Sequence, residues 1–312
     1  PVLFISGQVT TTTLMEGTRL RQRGVQETDI VSIVESVTKS AATLEAAEDI
    51  QYALKFAIHH AMTWRPGPAW LDIPLDLQGK RVDPMALDEF GLFGGITFTL
   101  SIEPVLQLLR AAQRPVLIAG NGIRLAGAAD AFRKLVAALG IPVVTSWGAA
   151  DMLASDHPLH IGHCGIFGDR ASNFAVQNAD LLLVIGCRLS IPQTGYNLAT
   201  FAREAKIIMV DVDQAEIDKF GAKVTLQVKA DAGAFIEALL GALDPEYNDE
   251  PDTHEWRERC REWKARYPVV TDEQRNATGA INSYALIEEL SKRLPDDAIV
   301  VTDAGTAYTC TW

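Results

Sequence analysis

The sequence is poor in cysteine, in long apolar runs and in positive charge, and each shortage excludes a class of protein. Among 312 residues there are four cysteines, and no two form a Cys-x-x-Cys pair, so the sequence indicates neither a zinc site nor a disulfide framework and fits a reducing cytoplasm. No apolar run approaches the ~20 residues that a membrane-spanning helix needs. With 28 basic and 40 acidic residues the net charge is −12, which argues against nucleic acid as a partner.

What remains is the composition of an ordinary globular protein, with 48% hydrophobic and 22% charged residues. The length allows about two domains of ~100–200 residues each. Position 1 is Pro, and the apolar run Val2–Ile5 follows at once without the features of a signal peptide. We therefore expect the chain to be a piece of a longer polypeptide.

The spacing of apolar residues predicts an α/β fold in which parallel sheets carry helices on their faces. Val2–Ile5 and Ala69–Ile73 read as strands, and the stretch from about Leu44 to Met62 between them has the 3.6-residue period of a helix. A strand, a helix and a second strand in this order predict a parallel sheet. Further strands are predicted at Val116–Ala119, Pro142–Thr145, Leu181–Ile185 and Ile207–Val210, with helices near 126–139 and 169–178.

Composition shifts predict three α/β pieces separated by two linkers. The predicted boundaries are 1–80, a linker at 81–100, a central domain at 101–243, a second linker at 244–281, and a last piece at 282–312. In the last piece a helix capped by Asn282 or Ser283 leads to a predicted strand at Ile299–Val301. A single strand cannot form a sheet, so we expect this third domain to be cut short.

Glycine-bearing loops follow the predicted strands of the central domain. Gly120 and Gly122 come after the first strand and Gly186 after the third, where short loops let a backbone approach a phosphate. Arg188 adds charge, and Asp211 is placed to accept hydrogen bonds from ribose hydroxyls. The pattern predicts a nucleotide site, although tight turns alone also explain such glycines.

Two further features of the predicted central domain, Asp213 and the loop 162–165, do not indicate a catalytic residue. Asp213 is predicted to cap a helix that starts at Gln214, with Glu216 in the capping-box position. The loop 162–165 reads Gly-His-Cys-Gly, which lacks the ligand spacing of a zinc site and a partner base for Cys164. We expect Gly162, His163 and Gly165 to present backbone to a ligand, and we assign no metal ligand.

Four segments resemble the acetolactate synthase type of thiamine-diphosphate-dependent enzymes. Arg65 to Asp76 reads RPGPAWLDIPLD, similar to the segment that closes the pyrimidine-binding domain of these enzymes. Phe4 to Val9 resembles their ISGQV stretch, and Glu27 to Val31, with Thr38 and Lys39, resembles the segment after it. Ala205 to Asp213 is similar to the strand written AKIIHIDID. The resemblance covers essentially the whole chain in the family's order.

The resemblance implies the end of a pyrimidine-binding domain, a whole central domain and the start of a diphosphate-binding domain. Gln8 would be the catalytic residue of this chain, and Ala304, Gly305 and Thr306 would begin a loop that contacts the diphosphate. The cofactors would be thiamine diphosphate and Mg²⁺, with their main ligands outside this chain. The implied enzyme is a carboligase or decarboxylase of a 2-oxo acid such as pyruvate, assembled as a homodimer or homotetramer. These 312 residues alone would be inactive.

FAD is a possible further cofactor, because Gly120, Gly122, Gly186 and Arg188 match FAD-contacting positions of the family. The family's arginine before the Thr-Lys pair is Glu35 here, whose carboxylate would repel a flavin diphosphate if it faced one. The stretch 189–192 reads Leu-Ser-Ile-Pro instead of FDDR. Two other interpretations stay open: a nucleotide-binding regulatory module without catalysis, and, less favoured, an NAD-dependent deacylase on a similar sheet.

Overall fold

The computed structural model describes residues 1–85, 87, 91, 100–243, 253–295 and 297–311. The chain divides into two compact units, Pro1–Thr97 and Phe98–Trp312. Most of the predicted linker 81–100 and residues 244–252 of the predicted linker 244–281 lie outside the described residues, and the predicted domain boundaries stay predictions. Within the described ranges, no helix is long and apolar enough to cross a membrane.

The first unit is built on a three-stranded parallel sheet. Its strands are β1 Val2–Gln8, β2 Ser40–Thr43 and β3 Pro68–Pro74, and β3 lies in the middle. Its helices are α1 Ile30–Val34, α2 Ile50–Met62 and α3 Leu75–Gln78. The predicted strands and their parallel pairing are confirmed. Strand β2 was missed because its sequence, Ser-Ala-Ala-Thr, carries none of the large apolar residues that mark a strand.

The helix predicted from Leu44 begins six residues later, at Ile50. Ala46 is extended and Ala47–Asp49 forms a single 3₁₀ turn, so regular α-helix starts only after it. The predicted apolar face is buried in part: Ala57 and Ala61 pack against Ala69 of the central strand, whereas Ile58 of the same predicted face is 46% exposed.

The second unit contains a six-stranded parallel sheet. Its strands are β4 Pro115–Ala119, β5 Val143–Thr145, β6 His160–His163, β7 Leu181–Ile185, β8 Lys206–Asp211 and β9 Leu226–Lys229. Their order is β6-β5-β4-β7-β8-β9, so the chain runs outward from β4 and then returns to lie beside it. This is the doubly wound arrangement of dinucleotide-binding sheets, with its topological switch point between β4 and β7. The four predicted strands and the α/β class are confirmed.

Both faces of this sheet are buried, which explains why its inner strands are continuously apolar. Leu117 and Leu183 point to one face, where they join a core with Phe132 and Phe235. The alternate residues, such as Leu182, join a second core on the other face. A fully buried Leu or Phe side chain contributes about 1.5–3 kcal/mol. The edge strands β6 and β9 were missed because polar residues and glycine interrupt their apolar pattern.

Helices cover both faces. The helices of this unit are α4 Glu103–Ala111, α5 Gly122–Leu125, α6 Ala129–Leu139, α7 Arg170–Asn178, α8 Ile191–Thr194, α9 Gln214–Asp218, α10 Ala232–Ala242, α11 His254–Arg266, α12 Asp272–Arg275, α13 Ser283–Ser291 and α14 Thr306–Thr311. Helix α11 falls in the predicted second linker, yet Trp256 and Cys260 are buried in the same core as the sheet. The indole N–H of Trp256 donates to the carbonyl of Pro115 in β4 at 3.1 Å.

The prediction of a strand at Ile299–Val301 was wrong. These three residues are 91%, 52% and 88% exposed and belong to neither sheet. A strand requires a hydrogen-bonded neighbour, and the described residues place none beside this run. The helix before it is confirmed, because the Asn282 carboxamide accepts from the backbone N–H groups of Tyr284 and Ala285 at 3.0 and 3.3 Å.

Candidate functional site

The predicted glycines Gly120, Gly122 and Gly186 meet at the switch point of the six-stranded sheet. The N–H of Gly122 donates to the carbonyl of Gly186 at 2.9 Å, and the N–H of Gly120 donates to Ile185 at 3.0 Å. A Cβ atom on Gly120 would lie 2.1 Å from the Gly186 oxygen, and one on Gly122 would lie 2.7 Å from the Gly186 Cα. Packing of one loop on the other therefore accounts for these glycines without any ligand.

Arg188 follows β7, two residues after Gly186, and Asp211 is the last residue of β8. The Arg188 side chain is exposed, while its backbone carbonyl accepts from Lys219 Nζ at 2.6 Å. Asp211 is buried, and its carboxylate accepts from the N–H of Asp213 at 2.9 Å. Asp213 caps helix α9, as predicted, by accepting from Ala215 N at 3.0 Å. The Asp211 carboxylate thus helps to shape the turn that leads into α9.

The loop 162–165 is held by polar side chains of helix α7 and of the turn before it. Asp169 accepts from the N–H of His163 at 2.8 Å, and Asn173 bonds both the N–H and the carbonyl of Gly165 at 2.8 and 3.0 Å. Gly165 has φ +121°, and a Cβ atom on it would lie 2.4 Å from the carbonyl oxygen of Pro192. This backbone is already engaged with protein groups, which weakens its assignment as a ligand contact.

Two histidines flank the buried hydroxyl of Thr145 in β5. His163 Nδ1 lies 2.7 Å and His160 Nε2 lies 3.2 Å from that oxygen. His160 Nδ1 faces the carbonyl of Ala154 at 3.3 Å and therefore carries the proton. His160 Nε2 then accepts from the Thr145 hydroxyl, whose oxygen accepts from His163 Nδ1–H. This chain of donors leaves Nε2 of a neutral His163 without a proton.

Burial keeps this pair of histidines neutral. Burial lowers the pKa of His160 to about 4, and repulsion from Lys264 and from His163 in its protonated form contributes to the shift. Burial also lowers the pKa of His163, and the carboxylate of Asp169 opposes that shift. The Lys264 ammonium donates to the carbonyls of Ser155 and His160, both at 2.6 Å.

Cys164 and Cys187 are buried beside the amide of Gln193. The Gln193 Nε2 atom lies 3.5 Å from the Cys187 sulfur and 3.9 Å from that of Cys164. Burial raises the pKa of Cys164 to about 12, and burial also raises the pKa of Cys187. Since the thiolate is the reactive form, neither cysteine is set up as a nucleophile.

The first unit holds a different kind of cluster around Gln8, at the end of β1. Its Nε2 atom donates to Asp72 Oδ2 at 2.9 Å and to the carbonyl of Thr28 at 2.8 Å, and its Oε1 accepts from Val9 N at 2.9 Å. Asp72 is fully buried and also accepts from the hydroxyl of Ser6 at 2.5 Å. Sequence reasoning missed Asp72. The only signal was a carboxylate within the apolar strand that contains Leu71 and Ile73.

Next to this cluster, Glu27 organises the long polar loop that follows β1. Its buried carboxylate accepts from the backbone N–H groups of Met15, Arg23 and Gly24, the last two at 2.8 Å. Desolvation opposes ionisation, but these backbone donors outweigh it and hold the pKa of Glu27 below its ordinary value. Glu27, which carried part of the family pattern, therefore has a structural role in this loop.

Ala304, Gly305 and Thr306 form an exposed turn that leads into α14. Gly305 has φ +87°, and open space surrounds the position of a Cβ atom. Among the described residues, Gln8 keeps one acceptor position on its amide oxygen, and the backbone around Gly305 is exposed. Within those residues, no three His, Cys, Asp or Glu side chains come together as a metal site.

Comparison with known proteins gives one consistent result. The family model of the thiamine pyrophosphate enzyme central domain matches residues 102–239. The acetolactate synthase large subunit of Corynebacterium glutamicum is 36% identical over 309 residues, which is 98% of this chain and 48% of that protein. Isozyme 2 of the Escherichia coli large subunit is 32% identical over 98% of this chain and 52% of its own length.

A probable acetolactate synthase large subunit of Methanocaldococcus jannaschii is 33% identical over 271 residues, or 85% of this chain and 44% of that protein. The chain thus spans about half the length of the curated relatives that it matches. The doubly wound sheet occupies the residues that match the family model. Residues 102–239 therefore belong to the thiamine pyrophosphate enzyme family as its central domain, and the chain as a whole is similar to acetolactate synthase large subunits.

Proposed function

We propose that the whole protein is a thiamine diphosphate-dependent carboligase or decarboxylase that acts on a 2-oxo acid such as pyruvate. The observation that carries the proposal is the 36% identity to an acetolactate synthase large subunit along 98% of this chain. Because the chain spans 48% of that relative, the activity is assigned to the whole protein. Residues 1–312 alone are proposed to be inactive.

The residues that this chain would contribute are Gln8 and the turn 304–306. Gln8 is proposed to contact the reacting groups, and its half-buried amide with one remaining acceptor position supports that role. The exposed backbone around Gly305, with no side chain to block it, supports a contact with the diphosphate. When bound, thiamine diphosphate supplies the electron sink for the charge left as carbon dioxide departs. Mg²⁺ is proposed to accompany the diphosphate, and no residue of this chain is assigned to it.

FAD has weaker support than thiamine diphosphate. The glycines at 120, 122 and 186 are explained by the packing of their loops, and the Gly162–Gly165 loop is bonded to Asp169 and Asn173. FAD therefore stays a secondary proposal that depends on the resemblance alone. The hypothesis of a nucleotide-binding regulator depended on the same glycines, so no observation favours it.

Assembly and location follow the same proposal. A homodimer or homotetramer is proposed, and exposed apolar side chains such as Val2, Ile5 and Met62, each more than half exposed, support a buried protein interface. A cytoplasmic location is proposed because all four cysteines are free thiols. A net charge of −12 supports the absence of nucleic acid and of an anionic membrane surface among the partners.

The test is turnover of a panel of 2-oxo acids by the whole protein, purified and dialysed free of cofactors. We expect pyruvate or a related 2-oxo acid to be consumed only when thiamine diphosphate and Mg²⁺ are both restored. Residues 1–312 prepared in parallel are expected to show no turnover. Failure of the whole panel with both cofactors present would refute the assignment, and turnover by residues 1–312 would refute the proposed inactivity of this piece.

A further inference from the structure

The register of β1 against β3 brings five side chains to one face of the first sheet. Ser6 pairs with Asp72 and Phe4 pairs with Trp70, so Ser6 and Gln8 share a face with Trp70 and Asp72. The Phe4 and Trp70 rings stack with centroids 4.9 Å apart and close one end of this row. At the other end, the Gln8 amide is half-buried.

Hydrogen bonds along this row converge on the Asp72 carboxylate from both sides. The indole N–H of Trp70 donates to the Ser6 oxygen at 2.8 Å, so the Ser6 hydroxyl proton is free to donate to Asp72. The second carboxylate oxygen of Asp72 then requires a donor, and the Gln8 NH₂ group supplies it at 2.9 Å. A fully buried carboxylate with neutral donors on both oxygens fixes the orientation of every group in the row.

Two further contacts agree with this orientation of the Gln8 amide. The carbonyl of Thr28 accepts hydrogen bonds and must face Nε2, while the N–H of Val9 donates and must face Oε1. Both protons of Nε2 are therefore used by Asp72 and Thr28. The hydrogen-bonding capacity left to Gln8, among its described contacts, is one lone pair on Oε1.

We propose that Asp72 is a positioning residue that locks the Gln8 amide so that Oε1, and not Nε2, is the atom offered to the reacting groups. This inference rests on the proposed function, which places Gln8 at the active site. Gln8 then acts as a hydrogen-bond acceptor for a donor on the substrate or cofactor. Asp72 takes no part as a base, because both of its oxygens are occupied inside the sheet.

The test uses the whole protein with Asp72→Ala, Gln8→Ala and the double variant, assayed for kcat and KM with pyruvate. Misplacing a catalytic amide by about 1 Å can cost ~10²-fold in rate, so we expect Asp72→Ala to lower kcat by roughly tenfold or more with a smaller change in KM. The double variant is expected to match Gln8→Ala within about twofold, because Asp72 acts through Gln8.

The conservative variant Asp72→Asn separates positioning from base catalysis. The carboxamide oxygen in this variant can accept from Gln8 while its NH₂ group donates to Ser6, so we expect kcat to stay within about threefold of wild type. If Asp72 were itself a base, Asp72→Asn would be as slow as Asp72→Ala. Asp76→Ala is the matched control, since Asp76 bonds Thr11 at 2.9 and 2.7 Å and its described contacts do not include Gln8.

Independent effects of Asp72→Ala and Gln8→Ala that multiply in the double variant would overturn the inference. Melting temperatures check folding, and Asp72→Leu replaces Asp72→Ala if the cavity prevents folding. If wild type shows no 2-oxo acid turnover, the proposed function fails separately, and a crystal structure of the Asp72 variant then decides. Movement of Gln8 Nε2 away from the Thr28 carbonyl would support the lock, and an unchanged contact near 2.8 Å would overturn it.

Discussion

The loops at the strand ends of the two units use their hydrogen-bonding groups in different ways. In the second unit, Gly120, Gly122 and Gly186 pack backbone against backbone, and their hydrogen bonds are made within the protein. In the first unit, Gln8 is held by Asp72 and Thr28 but keeps one acceptor position on its amide. Residues that fit one family pattern can therefore serve packing in one region and retain chemical capacity in another.

The largest effect on stability is expected from a substitution that disturbs the packing of the glycine loops. Gly120→Ala would place a Cβ atom 2.1 Å from the Gly186 oxygen, so we expect a loss on the order of 3 kcal/mol in the free energy of unfolding, measured by urea denaturation. Gly241→Ala is the matched control, because it lies in helix α10 with open space around its Cβ position. We expect the control to raise stability by up to about 1 kcal/mol. Equal stability of the two variants would contradict a packing role for Gly120.

A second prediction concerns the stability of the second unit at acid pH. The pKa of His160 is about 4 in the folded chain against an ordinary value of 6.5, so the unfolded chain binds more protons between these values. The contribution of His160 to the free energy of unfolding is therefore fully present above pH 6.5. About 3 kcal/mol of it is lost as the pH falls to 4. Urea denaturation at several pH values measures the slope, and His160→Gln should flatten it. An equally steep slope in that variant would exclude His160 as its cause.

A smaller loss of stability is expected from a substitution that tests whether helix α11 packs as part of the second unit. Trp256→Phe keeps an aromatic ring in the core but removes the hydrogen bond to the Pro115 carbonyl. We expect a loss of about 1 kcal/mol in the free energy of unfolding. If α11 were only a tether, the variant would unfold at the wild-type urea concentration.

The smallest expected effect lies in the loop of the first unit. The pKa of Glu27 is held below its ordinary value, so its contribution to stability is present above that value and is lost as the pH falls through the lowered one. The protection of the Arg23 and Gly24 amides against hydrogen exchange, taken relative to the intrinsic rate at each pH, should fall across that range, because both amides donate to this carboxylate. Glu27→Gln should remove this change in protection with pH, and a change that persists in the variant would assign it to another group.

The parts of the fold that large apolar residues mark were predictable from the sequence. Strands such as Leu181–Ile185 and the burial of Ala57 and Ala61 follow from hydrophobic spacing alone. The run Ile299–Val301 has the same composition but forms no strand, because strand formation also depends on a neighbour. The local sequence pattern therefore indicates that a segment favours a strand, and hydrogen bonding to a neighbouring strand decides whether that strand forms.

The candidate site was less predictable for a related reason. Gln8 could be selected from its resemblance to a family motif, but its partner Asp72 lies 64 residues away along the chain. The two become neighbours only through the register that sets Ser6 opposite Asp72. Likewise, the mutual packing of Gly120 and Gly186 depends on the switch point between β4 and β7, which their spacing in the sequence does not reveal.

If the first unit carries the chemistry of this chain, Gln8 is the residue whose loss should slow the reaction. The decisive experiment measures the rate of pyruvate-dependent carbon dioxide release by the whole protein, with thiamine diphosphate and Mg²⁺, in wild type and Gln8→Ala. We expect Gln8→Ala, assayed well below its melting temperature, to lower kcat by roughly tenfold or more. Its melting temperature should also fall, because Asp72 and the Thr28 carbonyl lose their donor. Equal kcat values for the two proteins would remove Gln8 from the reaction.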